Sequence, residues 1–178
     1  MSETDQADGL SALAVGHSGR LILSGHPAAL PGLSAEQAVA HYARLGVRTL
    51  LTLLRPEELH ALGLEHLQVL CVSNGLEWQH APIADHQAPD PDFESWWMRH
   101  GPALHQQLDE GAAVAIHCWG GKGRTGTIAA RILIERGLAP DAAIAAVRQC
   151  RPGAIETAAQ VQYVLGLMPP PGRTTCSD

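Results

Sequence analysis

Cys118 and Arg124 enclose Trp119, Gly120, Gly121, Lys122 and Gly123, and Thr125 and Gly126 follow directly. A thiolate is a potent nucleophile, and the flat guanidinium fork grips two oxygens of a phosphate at once, which an ammonium does not. The three glycines permit tight turns and let backbone approach an anion closely. The stretch lies between an apolar strand-like run, residues 112–116, and a helix-like run, residues 125–136. A strand, a glycine-rich turn and a helix N-terminus together make an anion cradle, because N–H groups and the helix dipole converge there. The same field, with a nearby cation, lowers a thiol pKa. The pattern therefore puts a nucleophile where a phosphate would sit. His117 reads as a buried prop for the loop rather than a base. Thr125 reads as a hydroxyl donor to the thiolate or as the cap of the next helix. A nucleotide-binding P-loop is excluded. Gly123 follows Lys122 where that motif needs Ser or Thr, and Ile116 occupies the place of its first glycine.

The elements that must position this loop alternate. Residues 20–24 read as a first strand. Residues 34–45 read as a helix with Ser34 as N-cap, Gln37 completing a capping box and Gly46 closing the far end. Residues 47–54 are a nearly continuous apolar run, the mark of a strand covered on both faces. Short helices over 56–62 and 65–73 precede a strand over 77–83. A helix over 91–108 carries Trp96 and Trp97, with Pro102 as a kink point. The cysteine strand, 112–117, leads to helices over 125–136, 140–149 and 156–167. This order predicts a single α/β domain with a central, mostly parallel sheet of four to five strands and helices on both faces. Its site belongs at the carboxyl end of the sheet. Asp85 falls at a strand end, ahead of Pro89 and Pro91, where an acid can overhang such a site; Asp92 is its rival and Asp90 lies nearby.

The stretch 117–126 resembles the signature loop of cysteine-dependent protein tyrosine phosphatases, particularly the compact dual-specificity branch. Residues 46–53 resemble the central strand of that branch, 82–85 its general-acid loop, and 151–157 with Gln160 its late helix start. The arrangement is similar to the group of the cyclin-dependent-kinase-associated phosphatase and spans roughly residues 18–168. The resemblance implies a phosphoric monoester hydrolase with a phosphocysteine intermediate on Cys118. It implies that Arg124 and the amides of residues 119–124 hold phosphate, that Asp85 is the general acid and then the base, and that Gln160 orients water. No metal or other cofactor is implied. Lys122 adds positive charge at the pocket mouth, as in the phosphoinositide 3-phosphatases, but Trp119 stands where those carry a second lysine. A shallow pocket for phosphotyrosine, admitting phosphoserine and phosphothreonine, is expected in a phosphorylated protein or peptide. Phosphoinositide or small-molecule phosphate hydrolysis, a sulfurtransferase and a non-catalytic phosphopeptide-binding module are the alternatives.

Composition bounds the rest. The chain has 178 residues, 46% hydrophobic and 17% charged, which suffices for one core. Aromatics are only 4%, so Leu, Val, Ile and Ala must fill it. The net charge of −6 gives no attraction to an anionic membrane, and neither membrane nor nucleic acid is an expected partner. Residues 1–17 and 169–178 read as loose tails around a domain over 18–168, expected to be monomeric and cytoplasmic. The four cysteines, at 71, 118, 150 and 176, match no zinc or secreted disulfide spacing. Cys71 and Cys150 read as buried structural residues, with a protective disulfide to Cys118 as the alternative.

Overall fold

An apolar run with no polar face must be covered on both sides, and the cysteine strand is such a run. Among the described residues, five strands form one sheet: β1 (Ser11–Val15), β2 (Gly19–Ser24), β3 (Val47–Thr52), β4 (Glu77–His80) and β5 (Ala113–His117), in the spatial order β1-β2-β5-β3-β4. This computed structural model describes residues 9–170; the expectations for 1–8 and 171–178, Cys176 among them, lie outside the described residues. β5 is central and buried throughout, parallel to β2 on one side and to β3 on the other. The register pairs His117 with Ser24 and with Thr52, so the strand ends that meet the cysteine loop are aligned.

Among the described residues, seven α-helices cover the sheet: α1 (Ala35–Arg44), α2 (Pro56–Ala61), α3 (Leu67–Ser73), α4 (Pro91–Asp109), α5 (Gly123–Glu135), α6 (Pro140–Cys150) and α7 (Ala158–Leu165). Alternate strand residues serve opposite cores. Leu21, Leu23, Leu51, Val114 and Ile116 pack against α4 to α7, whereas Ile22, Leu50 and Ala115 pack against α1 to α3. Leu, Val, Ile and Ala supply most of both cores, as so few aromatics require. Ser34 caps α1 with the reciprocal Gln37 box that the spacing predicts. Pro102 sits inside α4 without ending it.

Three boundaries differ from expectation. The N-terminal tail is ordered from Ser11, because β1 folds back antiparallel on β2 through a turn whose Gly16 has φ +65°. Alanine and serine carry little strand preference, so pairing rather than propensity makes this strand. β4 stops at His80 because Pro82 has no N–H for the ladder, although Ala81 and Ile83 still donate to Thr52 and Leu53. α5 begins at Gly123, where the loop turns straight into a helix and Gly126 N–H already donates to Lys122 O at 2.8 Å.

Candidate active site

Cys118 follows β5 directly and is only 3% exposed. The loop after it is held by its carbonyls. Trp119 O accepts from His26 N–H at 3.2 Å, Gly120 O from Arg151 Nη2 at 3.2 Å, and Lys122 O from Gly126 and Ile155. The N–H groups of residues 119–124 find no acceptor among the described residues, the condition for an anion cradle at a helix N-terminus. Gly121 has φ +70°, and a Cβ there would sit 2.1 Å from the Ser24 carbonyl carbon, so no side chain fits. A Cβ on Gly123 would meet Glu156 Oε2 at 2.6 Å and Gln160 Nε2 at 3.0 Å.

Arg124 is 1% exposed and both of its Nη atoms are engaged. It donates to both Glu58 oxygens at 2.7 and 2.8 Å and to Ile83 O at 3.1 Å, and its Nη2 lies 2.9 Å from Asp85 Oδ1. Burial by itself would raise the Glu58 carboxyl, but the Arg124 fork, the Arg55 N–H and both guanidinium charges outweigh it and hold it below the ordinary range. Sequence reading missed Glu58. The available signal was its place at the third position of a helix that starts at Pro56, where a carboxylate is favoured.

His117 is a prop. Its Nδ1 faces Cys118 O at 3.4 Å, and a carbonyl can only accept, so the ring proton sits on His117 Nδ1 and Nε2 is the acceptor. Thr52 Oγ1, which accepts from the Trp78 indole at 2.9 Å, donates to Nε2 at 2.8 Å. Burial lowers the His117 pKa from 6.5 to about 3. Between these values the unfolded chain binds a proton that the folded one refuses. This contribution to stability is whole above pH 6.5 and is lost as pH falls towards 3, at up to about 1.4 kcal/mol per pH unit. His117→Asn should flatten the fall of melting temperature between pH 6.5 and 4; an unchanged slope would remove the assignment.

Asp85 overhangs the loop, and the rival Asp92 lines a neighbouring cavity instead. Asp85 is half exposed, beside Arg124, and accepts from His86 N–H at 3.0 Å. The acid loop is latched to the start of α7. Thr157 Oγ1 donates to His86 O at 3.0 Å, and Gln160 Nε2 donates to Gln87 O at 3.2 Å. Gln160, 1% exposed, also accepts from the N–H groups of Glu156 and Thr157 through its Oε1.

Two expectations are corrected. Thr125 does not cap α5; Lys122 holds that position, and the Thr125 hydroxyl is buried with no hydrogen-bond partner among the described residues. Lys122 does not add charge to the mouth. Its side chain lies along Gly153, 3.8 Å from the place of a Cβ there, in a concavity with Arg151 and Ser11 behind the loop. The mouth, ≈ 380 Å³, is lined instead by Arg55, Glu57, Glu58, Asp85 and Trp119. Trp119 both packs edge-on against His26, at 5.8 Å, and stays 45% exposed at this rim. Cys71 belongs to the core beneath the opposite sheet face from Cys118, and Cys150 Sγ donates to Ala12 O; both are buried and free.

A mostly parallel sheet that delivers a cysteine, a cradle of amides, a buried arginine and an overhanging acid to one edge defines a cysteine-dependent phosphatase of the compact dual-specificity type. The chain belongs to the family described as Swiss Army Knife protein, DSP-PTPase phosphatase domain, which matches residues 22–164. The structure is similar to that of kinase associated phosphatase with its catalytic site cysteine substituted by serine, with a TM-score of 0.72 and 23% identity over 87% of this chain and 90% of that one. It is similar to the active form of Tk-PTP, with a TM-score of 0.67 and 28% identity over 86% and 93%. It also resembles PTPMT1 in complex with PI(5)P, with a TM-score of 0.64 and 18% identity over 82% and 87%.

Proposed function

We propose that the protein hydrolyses phosphotyrosine in proteins or peptides, and admits phosphoserine and phosphothreonine, through a phosphocysteine on Cys118. The single observation that carries the proposal is the convergence on Arg124 of the loop that bears Cys118 and the loop that bears Asp85. The Cys118 thiolate attacks phosphorus, the bond to the leaving oxygen breaks, and Asp85 gives that oxygen its proton. Water then attacks the phosphocysteine while Asp85 takes the water proton, and phosphate leaves as the thiolate re-forms. Arg124 and the amides of residues 119–124 hold the equatorial oxygens through both steps. Asp85 now occupies the Arg124 Nη2 that a phosphate oxygen would take. A phosphate dianion replaces it there, which frees Asp85 to reach the leaving oxygen. Gln160, locked against Gly123, orients the water. A reducing, cytoplasmic setting fits a thiolate nucleophile.

The protein reading is favoured over phosphoinositide because Lys122 faces away from the mouth, and the mouth carries Glu57, Asp85 and an exposed tryptophan. The test is turnover of matched phosphopeptides and phosphoinositides with chelator and reductant present. Preference for the lipid would overturn the protein reading. Asp85→Asn should lower kcat on a phosphopeptide by about 10²–10⁴-fold. The loss should shrink for an aryl phosphate whose leaving group needs no proton. Equal losses on both substrates would remove Asp85 as the acid.

A further inference from the structure

A second concavity of ≈ 500 Å³ lies beside the phosphate mouth and shares one wall with it, the Arg55 side chain. The acid loop forms the rim between them: Asp85 lines the mouth and Ala84 lines the cavity. A chain whose phosphoresidue enters the mouth meets this cavity with its neighbouring residue. Phe93 and Trp96 supply the aromatic wall, their ring centroids 6.0 Å apart, and Ala81 and Pro82 add apolar surface. Phe93 is buried, but Trp96 is only partly covered where it faces the space. A half-covered tryptophan in a concave site offers a large apolar area at little conformational cost.

The charges around the cavity select its occupant. Arg55 and Arg99 are matched by Asp90 and Asp92. Asp90 is bound to the Phe93 N–H as the cap of α4, so its carboxylate stays, and Arg55 already pairs with Glu57 at 2.8 Å. Two cations against two anions leave no net field to draw a second phosphate. An uncharged side chain loses nothing by entering, and it gains the contact with Trp96.

We propose that this cavity is a specificity subsite for a large apolar side chain, aromatic or branched aliphatic, that flanks the phosphorylated residue of the substrate. The proposal rests on the protein-substrate reading above. Trp96 is its specificity-determining residue and touches no reacting atom.

The test uses phosphotyrosine peptides that differ only at one flanking position, Leu or Phe against Ala, together with a doubly phosphorylated peptide and an aryl phosphate. Wild type should favour the Leu and Phe peptides by about tenfold or more in kcat/KM, carried by KM, the usual scale for filling an apolar pocket. Trp96→Ala should bring the peptides to within about twofold of one another. Trp96→Phe should keep most of the preference, and aryl phosphate turnover should stay unchanged in both, which also reports that they fold. A wild type indifferent to the flanking residue would overturn the subsite, as would a preference for the second phosphate. Aryl phosphate turnover with no peptide turnover would instead sink the protein-substrate reading, and the subsite with it.

Discussion

Cys118→Ser should lower aryl phosphate turnover by on the order of 10⁵–10⁶-fold, the scale seen when an enzyme loses its nucleophile. The change swaps sulfur for oxygen at a site 3% exposed, at the end of a fully buried strand, so the fold should stand. A serine hydroxyl is a far weaker nucleophile than a thiolate. The cradle itself survives, because its carbonyls are tied to His26, Arg151 and Ile155 and not to the cysteine side chain. The variant should therefore still bind a phosphopeptide, and calorimetry should detect it while turnover is lost. Retention of more than about a tenth of wild-type kcat would exclude Cys118 as the nucleophile, since such deletions leave only the binding and electrostatic terms.

Arg124→Lys should lower kcat by about 10²–10³-fold, the range for losing a preorganised transition-state donor, and unlike Asp85→Asn it should do so on aryl phosphate and phosphopeptide alike. Its effect on the fold should be just as plain. One guanidinium serves both Glu58 oxygens, Ile83 O and Asp85. An ammonium has three protons and no planar fork, so it leaves part of this set unpaired. Removing one partner of a buried pair outright costs about 3–5 kcal/mol. An ammonium keeps its charge near Glu58, which is only 15% exposed, but loses the two-point grip, so the loss is a fraction of that. The melting temperature should drop. Adding Glu58→Gln should recover much of that drop without restoring turnover, because the carboxylate is gone but the bidentate phosphate grip is still missing. Recovery of turnover in the double variant would mean that Arg124 acts only through Glu58.

The cysteine loop was legible because its chemistry is local: seven consecutive positions, Cys118 to Arg124, carry nucleophile, turn and grip. The alternation of strands and helices was legible for the same reason, since periodicity and caps such as Ser34 with Gln37 act within a few residues. The sequence by itself determined a strand-loop-helix phosphate site and an acid loop upstream of it. Contacts between distant residues lay beyond that range. Glu58 meets Arg124 across 66 positions, and Thr52 meets His117 across 65, with nothing in either neighbourhood to announce the pairing. The direction of Lys122 followed the backbone turn at Gly121, whose close passage over Ser24 exists only once β2 and β5 are adjacent. β1 likewise exists because β2 presents an open edge to it, and the alanine-rich segment has too little strand preference to declare itself alone. Tertiary structure therefore decided which carboxylate holds the arginine, which way the loop lysine points and where the second cavity opens. Each of these depends on the distance between elements that only packing brings together.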